Sequence, residues 1–502
     1  MSKKVVKNAI FIMLDTLPFN YLGCYGNKVI KTPHLDRLAR NSTVFENAYS
    51  EGLPTIPVRR AIMTGRFTLP YGGWKPLEHD DTTLADMLWG REWQTALIYD
   101  TPPLRLPKFG YSRGFDYVQF LPGHELDHTS FARVPLDPAF KAENFTSPTM
   151  LYNEKGEYID YDSEALLEEL DLFLRQYQNY RSDADSFVAK VTSAAEKWIR
   201  EGRDKTRPFF LWLDSFDPHE PWDPPSVWAG EPCPYDPEYK GNPLVLTPWT
   251  PMEGRVTERE AEHVRALTME KITVADKWVG KLLDTLKREG LMDETLIVVT
   301  SDHGQPMGPG EHGHGIMRKC RPWPYEELVH VPLIVHMPGT KPGQRIKGFV
   351  QNVDIAPTIL DAVGLLHGPD ERPHSNFATF DWSDMHGESL LPLMRGEKKI
   401  IRDHAIAGYF GKSWSMITED HSFIHWIAND YRDSFALRGE INDSEEMWSC
   451  TAGAKVVVPE NDELYCRKTD PFQLKNLIKE QPEIAEQMLQ KLKLRIGQLR
   501  AS

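Results

Sequence analysis

The stretch TLIVVTSDHG, from Thr295 to Gly304, joins a short β-branched and apolar run to an Asp-His pair. A continuous run of this length is typical of a strand that is buried on both faces, as in a parallel sheet. Other runs of the same character are AIFIMLD (9–15), TALIYDT (95–101), PFFLWLDSFDPH (208–219) and VPLIVH (331–336). The stretch therefore predicts one strand of a buried sheet whose other strands lie far apart in the sequence.

Helical patterns separate these runs. The clearest covers Thr257 to Glu289, where apolar side chains recur at helical spacing before Gly290, a residue that often ends a helix. Strands that alternate with helices predict a doubly wound α/β sheet over residues 1–396. After Gly396 the pattern changes to alternating segments and a closing amphipathic helix. We therefore predict a smaller C-terminal α+β domain with an antiparallel sheet at 397–502.

Composition limits the partners of this chain. Its 502 residues include 58 Lys and Arg against 73 Asp and Glu, giving a net charge of -15. An acidic surface argues against a nucleic-acid partner, although a locally basic pocket could still hold a small anion. No segment approaches the roughly 20 apolar residues of a membrane span, and the N-terminal apolar run is too short for a signal peptide. Five scattered cysteines indicate reduced thiols, so we expect a cytoplasmic protein.

Polar side chains follow the predicted strands at their carboxyl ends. The set is Asp15, Thr101, His219, Asp302 and His303. In open α/β sheets ligands bind beyond these ends, so residues far apart in sequence meet at one edge. Each residue alone could simply cap a strand or start a turn. Taken together, and with Arg59 and Lys319 near the same motifs, they favour a functional site.

The Asp302-His303 pair has the chemistry of half a metal site. A carboxylate and an imidazole at a strand end suit a divalent cation, and Asp15 could supply a second carboxylate. Mixed oxygen and nitrogen ligands favour Mn²⁺ or Zn²⁺ over Ca²⁺, which prefers oxygen alone. The sequence therefore predicts one divalent metal ion, with Ca²⁺ as the weaker alternative.

A series of longer segments resembles the sulfatase family, within the alkaline phosphatase superfamily. The likeness covers nearly the whole chain, and the segments follow the order that the family has. They include FIMLDTLPFNYLGCYGN, KTPHLDRLA, PTIPVRRAIMTGR, DPHEPWDPP, TLIVVTSDHGQPMGPGEHG, YEELVHVPLIVHMPG, VDIAPTILDAVGL, HGESLLPLMRGE and DPFQLKNL. The resemblance implies an alkaline phosphatase-like fold, in which a mostly parallel sheet lies between helices, with residues 1–396 as the catalytic domain.

The resemblance also implies roles for single residues. Asp15, Asp302 and His303 match metal ligands. Thr55 matches the nucleophile of the C/S-x-P-x-R motif, whose oxygen also contacts the metal, and Arg59 matches the arginine of that motif. The remaining matches are His219 on the substrate or leaving group and Lys319 on the transferred group, with Arg318 as a rival for Lys319 and with His312 and His314 as weaker ligand candidates.

Three departures from the family pattern bear on the chemistry. Sulfatases carry at the position of Thr55 a Cys or Ser that is oxidised to formylglycine, whereas oxidised threonine would be a ketone, so no formylglycine is expected. Thr16 stands where many members have another metal-binding Asp. Tyr99 and Thr101 replace the Lys and His of a G-K-W-H motif. The Tyr-x-Thr arrangement is similar to the branch of phosphonate monoester hydrolases and phosphodiesterases.

These residues predict a metal-dependent hydrolase that cleaves phosphate diesters or phosphonate monoesters through unmodified Thr55. A threonine hydroxyl needs activation, which a divalent metal can supply, and Arg59 and Lys319 would stabilise charge on the transferred group. Two alternatives remain open: a sulfatase of unknown substrate, and an inactive anion-binding protein. The expected partner is a small anionic ester, without nucleic acid or membrane, and the chain could form a homo-oligomer.

Overall fold

The computed structural model describes residues 6–124, 135–159, 161–247, 252–318, 323–366, 385–427, 459 and 461–501. Within them, an eight-stranded sheet has the order β10-β2-β9-β6-β1-β5-β3-β4, and β7 pairs with β8 as a separate ribbon. The strands are β1 Asn8–Leu14, β2 Thr43–Tyr49, β3 Gln94–Tyr99, β4 Tyr117–Phe120, β5 Phe209–Ser215, β6 Thr295–Thr300, β7 Met307–Gly308, β8 Ile316–Met317, β9 Leu333–His336 and β10 Gln344–Gln351.

The central strands explain the apolar runs of the sequence. Strand β1 lies between β5 and β6 and is parallel to both, and every residue of the three strands is buried. Strand β9, by contrast, is antiparallel to β6 and to β2. The run VPLIVH does not indicate the antiparallel direction of β9, because burial on both faces selects the same apolar residues in either strand direction.

Helices cover both faces of the sheet, which confirms the predicted doubly wound architecture. They are α1 Pro33–Arg40, α2 Thr55–Thr64, α3 Leu84–Trp89, α4 Pro148–Leu151, α5 Tyr161–Tyr177, α6 Phe187–Lys197, α7 Pro225–Ala229, α8 Glu258–Arg288, α9 Glu326–Val329, α10 Ile355–Ala362, α11 Leu391–Met394 and α12 Pro482–Ala501. Helices α1, α6 and α8 pack on one face, and α2, α3 and α10 on the other. None of the helices in the described ranges is both long and apolar enough to cross a membrane.

A second, four-stranded antiparallel sheet follows near the C-terminus, as the sequence predicted. Its strands are β11 Ala405–Tyr409, β12 Ser413–Ile417, β13 His421–Trp426 and β14 Glu463–Cys466. Helix α12 packs on this sheet together with Phe67 and Leu69 of the larger unit. The backbone N–H of Leu53 also donates to the Gly408 carbonyl at 2.8 Å. The boundary after residue 396 stays a prediction.

Candidate active site

The carboxyl ends of four neighbouring strands lie in register at one edge of the large sheet. Met13 of β1 pairs with Asp214 of β5 and with Thr300 of β6, and Tyr99 of β3 also pairs with Asp214. The residues that follow these ends are Asp15, Thr101, Asp302 and His303. Parallel alignment therefore brings together side chains that are separated by up to 288 positions in sequence, as the strand-end argument predicted.

Asp15, Asp302 and His303 form a compact group of metal-ligand side chains. Their ligand atoms all lie within 4.8 Å of one another, and all three residues are buried. The Nδ1 atom of His303 lies 2.8 Å from the Gly304 carbonyl oxygen, to which it can only donate. The neutral ring therefore carries its lone pair on Nε2, which is the form that ligates a metal. The donor set fits a divalent cation.

Arg59 joins this group to its neighbours. Its Nε donates to Asp214 at 2.8 Å, and Nη2 donates to Asp214 at 2.7 Å and to Asp15 at 2.9 Å. Its Nη1 donates to Asp302 at 2.7 Å and to the Thr55 carbonyl at 3.2 Å. These contacts use all five N–H groups of the guanidinium. Arg59 therefore braces the site, and none of its donors is left for an oxygen of the substrate.

Carboxylates outnumber guanidinium groups in the described part of this buried cluster. Three carboxylates, those of Asp15, Asp214 and Asp302, surround the single guanidinium of Arg59, and all four side chains are fully buried. Burial lowers the pKa of Arg59, but the three carboxylates raise it well above its ordinary value, so the guanidinium stays charged. A divalent cation beside these carboxylates would offset part of their negative charge, which is a second reason that these residues fit a metal.

Thr55 is placed at the start of a helix beside these ligands. It is the first residue of α2 and is 1% exposed. The positive end of the helix dipole favours negative charge near this position. Arg59 lies one turn further along α2, so its contacts with Asp15 and Asp302 tie the helix of Thr55 to the metal-ligand group. Thr55 therefore lies on a helix that Arg59 anchors to the metal-ligand group.

Tyr99 and Thr101 bring neutral hydroxyl groups to the same edge. The register pairs Tyr99 with Asp214, so their side chains lie on one face of the sheet. Burial raises the pKa of Tyr99 to about 12, so its hydroxyl keeps its proton at neutral pH. The hydroxyl of Thr101 donates its proton to Asp214. Thr101 therefore orients Asp214, and the hydroxyl proton is not directed at a substrate.

His219 lies in the loop DPHEPWD that follows β5, and Lys271 of α8 binds the main chain of this loop. Its Nδ1 donates to the Glu220 carbonyl, and its ring stacks on Phe216 with the centroids 4.0 Å apart. The ammonium of Lys271 donates to the carbonyls of His219 at 2.8 Å and of Pro221 at 2.6 Å. Because Nδ1 donates, Nε2 is the nitrogen that can exchange a proton with a leaving group.

The cation predicted for the transferred group is the part of the site that the structure does not place. Lys319 lies outside the described residues. Its rival Arg318 is buried, and its Nε donates to Glu220 at 2.9 Å while Nη1 donates to the Thr247 carbonyl at 2.9 Å. These contacts direct Arg318 to the loop of His219, so they favour Lys319 for the role on the transferred group.

His312 and His314 are separate from the metal-ligand group, as far as the described residues show. His312 ends a short 3-10 helix in the loop after β7. The Nδ1 of His314 lies 2.7 Å from Glu327, and Nε2 lies 3.0 Å from the carbonyl of Gln473. With an acceptor at each nitrogen, His314 acts as a clamp between this loop and the C-terminal region.

Thr16 takes part through its main chain. Its backbone N–H donates to Asp302 at 3.1 Å. Its φ of 56° is uncommon for a β-branched residue, and such conformations cluster at functional sites. The strained turn therefore directs a backbone donor at a metal ligand, while no hydrogen-bond partner is seen for the buried Thr16 hydroxyl among the described residues.

Two contributors were missed at the sequence level, Asp214 and Lys271. Asp214 lies inside the quoted run PFFLWLDSFDPH, but it was not singled out because His219 ends the same segment. A carboxylate within a strand that is otherwise apolar was a usable signal, since a buried charge needs a partner. Lys271 lies within the long helix α8, in a position between apolar neighbours at helical spacing.

Comparisons with known proteins agree with this geometry. The family model described as Sulfatase matches residues 7–365. A second model, described as N-sulphoglucosamine sulphohydrolase, C-terminal, matches residues 310–456. The N-acetylglucosamine-6-O-sulfatase of Bacteroides thetaiotaomicron is 24% identical over 555 residues, which cover 94% of this chain and 82% of that protein.

Two solved structures are similar in fold. The phosphonate monoester hydrolase of Agrobacterium radiobacter has a TM-score of 0.69 at 18% identity, covering 99% of this chain and 95% of that one. A protein solved in complex with its substrate D-glucosamine-2-N,6-O-disulfate has a TM-score of 0.64 at 20% identity, covering 99% of both chains. The fold is alkaline phosphatase-like, and the chain belongs to the sulfatase family of ester-bond hydrolases.

Proposed function

We propose that this hydrolase cleaves phosphate diesters or phosphonate monoesters, with unmodified Thr55 as its nucleophile. The observation that carries the proposal is that Tyr99 and Thr101 bring neutral side chains to Asp214, at the sheet edge that Arg59 links to the metal-ligand group. Tyr99 offers a protonated hydroxyl, Thr101 is bonded to Asp214, and every N–H of Arg59 is already used. Neutral side chains at this edge suit a transferred group with one negative charge better than one with two.

The reaction would proceed in two displacements. In the first, the Thr55 oxygen bonds to phosphorus and passes its proton to solvent as the ester bond to the leaving alcohol breaks. His219 supplies a proton to the departing oxygen, because its Nδ1 is fixed by the Glu220 carbonyl and Nε2 is the exchanging nitrogen. In the second, water cleaves the phosphothreonine and Thr55 regains its proton.

One divalent cation would be held by Asp15, Asp302 and His303, with the Thr55 oxygen as a further ligand. The imidazole in this set favours Mn²⁺ or Zn²⁺ over Ca²⁺. Such an ion is a Lewis acid that lowers the pKa of a nearby hydroxyl and stabilises negative charge in the transition state. The three buried carboxylates around Arg59 support this assignment.

Sulfate ester hydrolysis is the second candidate. It is favoured by the family and by a relative that is named a sulfatase and is 24% identical. A sulfate monoester also carries one negative charge, so the neutral side chains of Tyr99 and Thr101 suit it equally well. The two candidates differ at Thr55, because a sulfatase cycle that uses formylglycine has no equivalent with threonine.

The test compares four 4-nitrophenyl esters, so that the leaving group is constant. They are the phosphate, the methyl phosphate diester, the methylphosphonate and the sulfate, each offered to Mn²⁺- or Zn²⁺-reconstituted protein. We expect the diester and the phosphonate to be hydrolysed fastest. Thr55→Ala should lower kcat by about 10⁴-fold or more, whereas Thr55→Ser, which keeps a hydroxyl, should retain much of the activity.

Two other outcomes would contradict the proposed substrate or the proposed nucleophile. Faster hydrolysis of the sulfate would favour the second candidate, and activity that is indifferent to Thr55→Ala would exclude threonine as the nucleophile. Mass spectrometry of protein quenched in acid during turnover adds an independent readout. A phosphorylated peptide that contains Thr55 is expected with the diester, and it should be absent from Thr55→Ala.

A cytoplasmic location belongs to the same proposal. It is supported by the thiols of Cys24, Cys233 and Cys466, which are unbridged within the described part of the chain. Reduced cysteines are typical of reducing compartments. Cell fractionation of the native protein would test it, and recovery from an extracellular fraction would contradict it.

A further inference from the structure

Asp214 is a buried carboxylate that none of the chemical steps above uses. Its Oδ1 accepts from Arg59 Nη2 and from Thr101, and its Oδ2 accepts from Arg59 Nε at 2.8 Å and from Trp212 Nε1 at 3.0 Å. A carboxylate has about four acceptor positions, so these donors fill them. Asp214 is therefore neither a metal ligand nor a base, and its effect must act through its charge and its hold on Arg59.

The effect on charge is direct. Asp214 is one of three carboxylates that contact the guanidinium of Arg59 in the described cluster. Replacing that carboxylate by an amide would make the net charge of the site more positive by one. Because all four side chains are fully buried, water screens this difference weakly.

The effect on Arg59 has the same direction. Two of its five N–H groups are directed at Asp214, along the edge of the sheet and toward β3. These are the donors that would otherwise be available to an anionic oxygen, since Asp15, Asp302 and the Thr55 carbonyl take the other three. Asp214 thus removes both a net charge and a bidentate anion contact from the site.

We propose that Asp214 is a specificity-determining residue that makes the site favour transferred groups with one negative charge over those with two. The inference rests on the proposed function only in the choice of ligand class. It holds equally for diesters, phosphonate monoesters and sulfate esters, because each of them carries a single charge. Because Lys319 is the same in every protein compared, the change in the Kd ratio when Asp214 is replaced reports on Asp214.

The experiment measures binding, so it does not depend on turnover. Isothermal titration is performed on Thr55→Ala protein saturated with Mn²⁺, with phenyl methylphosphonate as the monoanion and phenyl phosphate at pH 8 as the dianion. With Asp214 present, the monoanion should bind at least as tightly as the dianion. Asp214→Asn in the same background should shift the ratio of the two Kd values about tenfold toward the dianion.

Thr101→Val is the matched control, because it removes one hydrogen bond to Asp214 and leaves every charge in place. Its Kd ratio should stay within about twofold of the parent. An unchanged ratio in Asp214→Asn would overturn the inference, as would a parent protein that prefers phenyl phosphate tenfold or more. A tenfold preference of the parent protein for phenyl phosphate would overturn the inference even if the Asn variant does not fold. Failure of the proposed function would appear separately, as lack of phosphorus-ester turnover.

Discussion

Two buried clusters, one centred on Arg59 and the other on Lys271, hold buried carboxylates around a cation in different ways. Arg59 spreads its five donors over three carboxylates and one carbonyl at the strand ends. Lys271 directs its ammonium at Asp217 at 2.9 Å, at Asp223 at 2.7 Å, and at two loop carbonyls. The planar guanidinium of Arg59 thus holds carboxylates side by side, whereas the compact ammonium of Lys271 binds acceptors from successive turns of a loop.

The clusters also differ in how their charge is balanced. Around Lys271, burial raises the pKa of Asp223 against the lowering effect of the Lys271 charge. For Asp217 burial acts in the same direction, but the charge of Lys271 outweighs it and the pKa is lowered. The Arg59 cluster instead shares Asp15 and Asp302 with the metal-ligand group. Its carboxylates therefore belong to a ligand site, whereas those around Lys271 hold a loop.

The largest expected effect comes from removing the cation that three carboxylates share. Arg59→Met leaves Asp15, Asp214 and Asp302 together in a buried site, so the free energy of unfolding without metal should fall by about 5 kcal/mol. Mn²⁺ should restore part of the loss, because a divalent cation replaces the missing charge. Urea unfolding followed by circular dichroism, in EDTA and in Mn²⁺, measures both quantities.

The neighbouring Arg60 provides the control. It pairs with the single carboxylate of Asp81 at 2.8 Å, away from the metal-ligand group. Arg60→Met should cost less than Arg59→Met, because it leaves one carboxylate without its cation and not three, and it should respond to Mn²⁺ as the wild type does. If Arg59→Met lost no more stability than Arg60→Met, the carboxylates around Arg59 would not be held as charges, and the contrast between the clusters would fail.

Lys271→Met is expected to have the next largest effect, about 3 kcal/mol of unfolding free energy, because it leaves Asp217 and Asp223 without their cation. Mn²⁺ should not restore it. Since Lys271 holds the carbonyls of His219 and Pro221, kcat should also fall more for esters with poor leaving groups than for 4-nitrophenyl esters. Kinetics on a series of leaving groups measures this dependence.

Lys277→Met is the control on the same helix. Lys277 pairs with Asp183 at 2.6 Å and its side chain is 51% exposed, so the variant should behave like the wild type. An equal loss of kcat for good and poor leaving groups in Lys271→Met would show that Lys271 supports the fold without positioning His219.

Much of the fold follows from the sequence, and the reason is visible in β1, β5 and β6. Strands buried on both faces need continuous apolar runs, and the polar residue after each run marks the edge where ligands bind. The predicted helix from Thr257 to Glu289 agrees with α8 to within one residue at each end, because Thr257 caps its start. What such patterns do not contain is the direction of a buried strand, as β9 shows.

The site was predictable to the extent that single residues carry its chemistry. Asp15, Asp302 and His303 were named from their positions and the structure groups them. The partners of Arg59 could not be assigned, because contacts across 155 residues, as between Arg59 and Asp214, have no local pattern. Lys271 had a signal: apolar residues such as Leu267 and Val274 flank it at helical spacing, which places a lysine on the buried face.

Glu51 is a third kind of buried carboxylate, because within the described residues neither an arginine nor a lysine donates a hydrogen bond to it. It accepts from the N–H and the hydroxyl of Thr68, both at 2.9 Å, and from the N–H of Leu69 at 3.0 Å. Burial raises its pKa from 4.5 to about 7, against the lowering effect of these hydrogen bonds. The folded protein thus keeps a proton that the unfolded chain has already lost.

The smallest predicted effect is therefore one of pH. Because the folded pKa of Glu51 lies above the unfolded value, its contribution to stability should decrease as the pH rises from 4.5 to about 7, by about 2 kcal/mol. Glu51→Gln lacks this titration. The free energy of unfolding of the wild type should therefore fall relative to that of Glu51→Gln as the pH rises over the same interval. Urea unfolding at a series of pH values measures the difference.

Thr68→Val extends the test, because it removes one donor to Glu51 and should raise the pH at which the loss is complete. If the pH dependence persisted unchanged in Glu51→Gln, the protons would reside on other buried carboxylates, and Asp223 beside Lys271 would be the first to examine. Either result separates the three environments in which this fold holds buried carboxylates: around a guanidinium beside the metal-ligand group, around an ammonium, or with hydrogen bonds from Thr68 and Leu69 and a raised pKa.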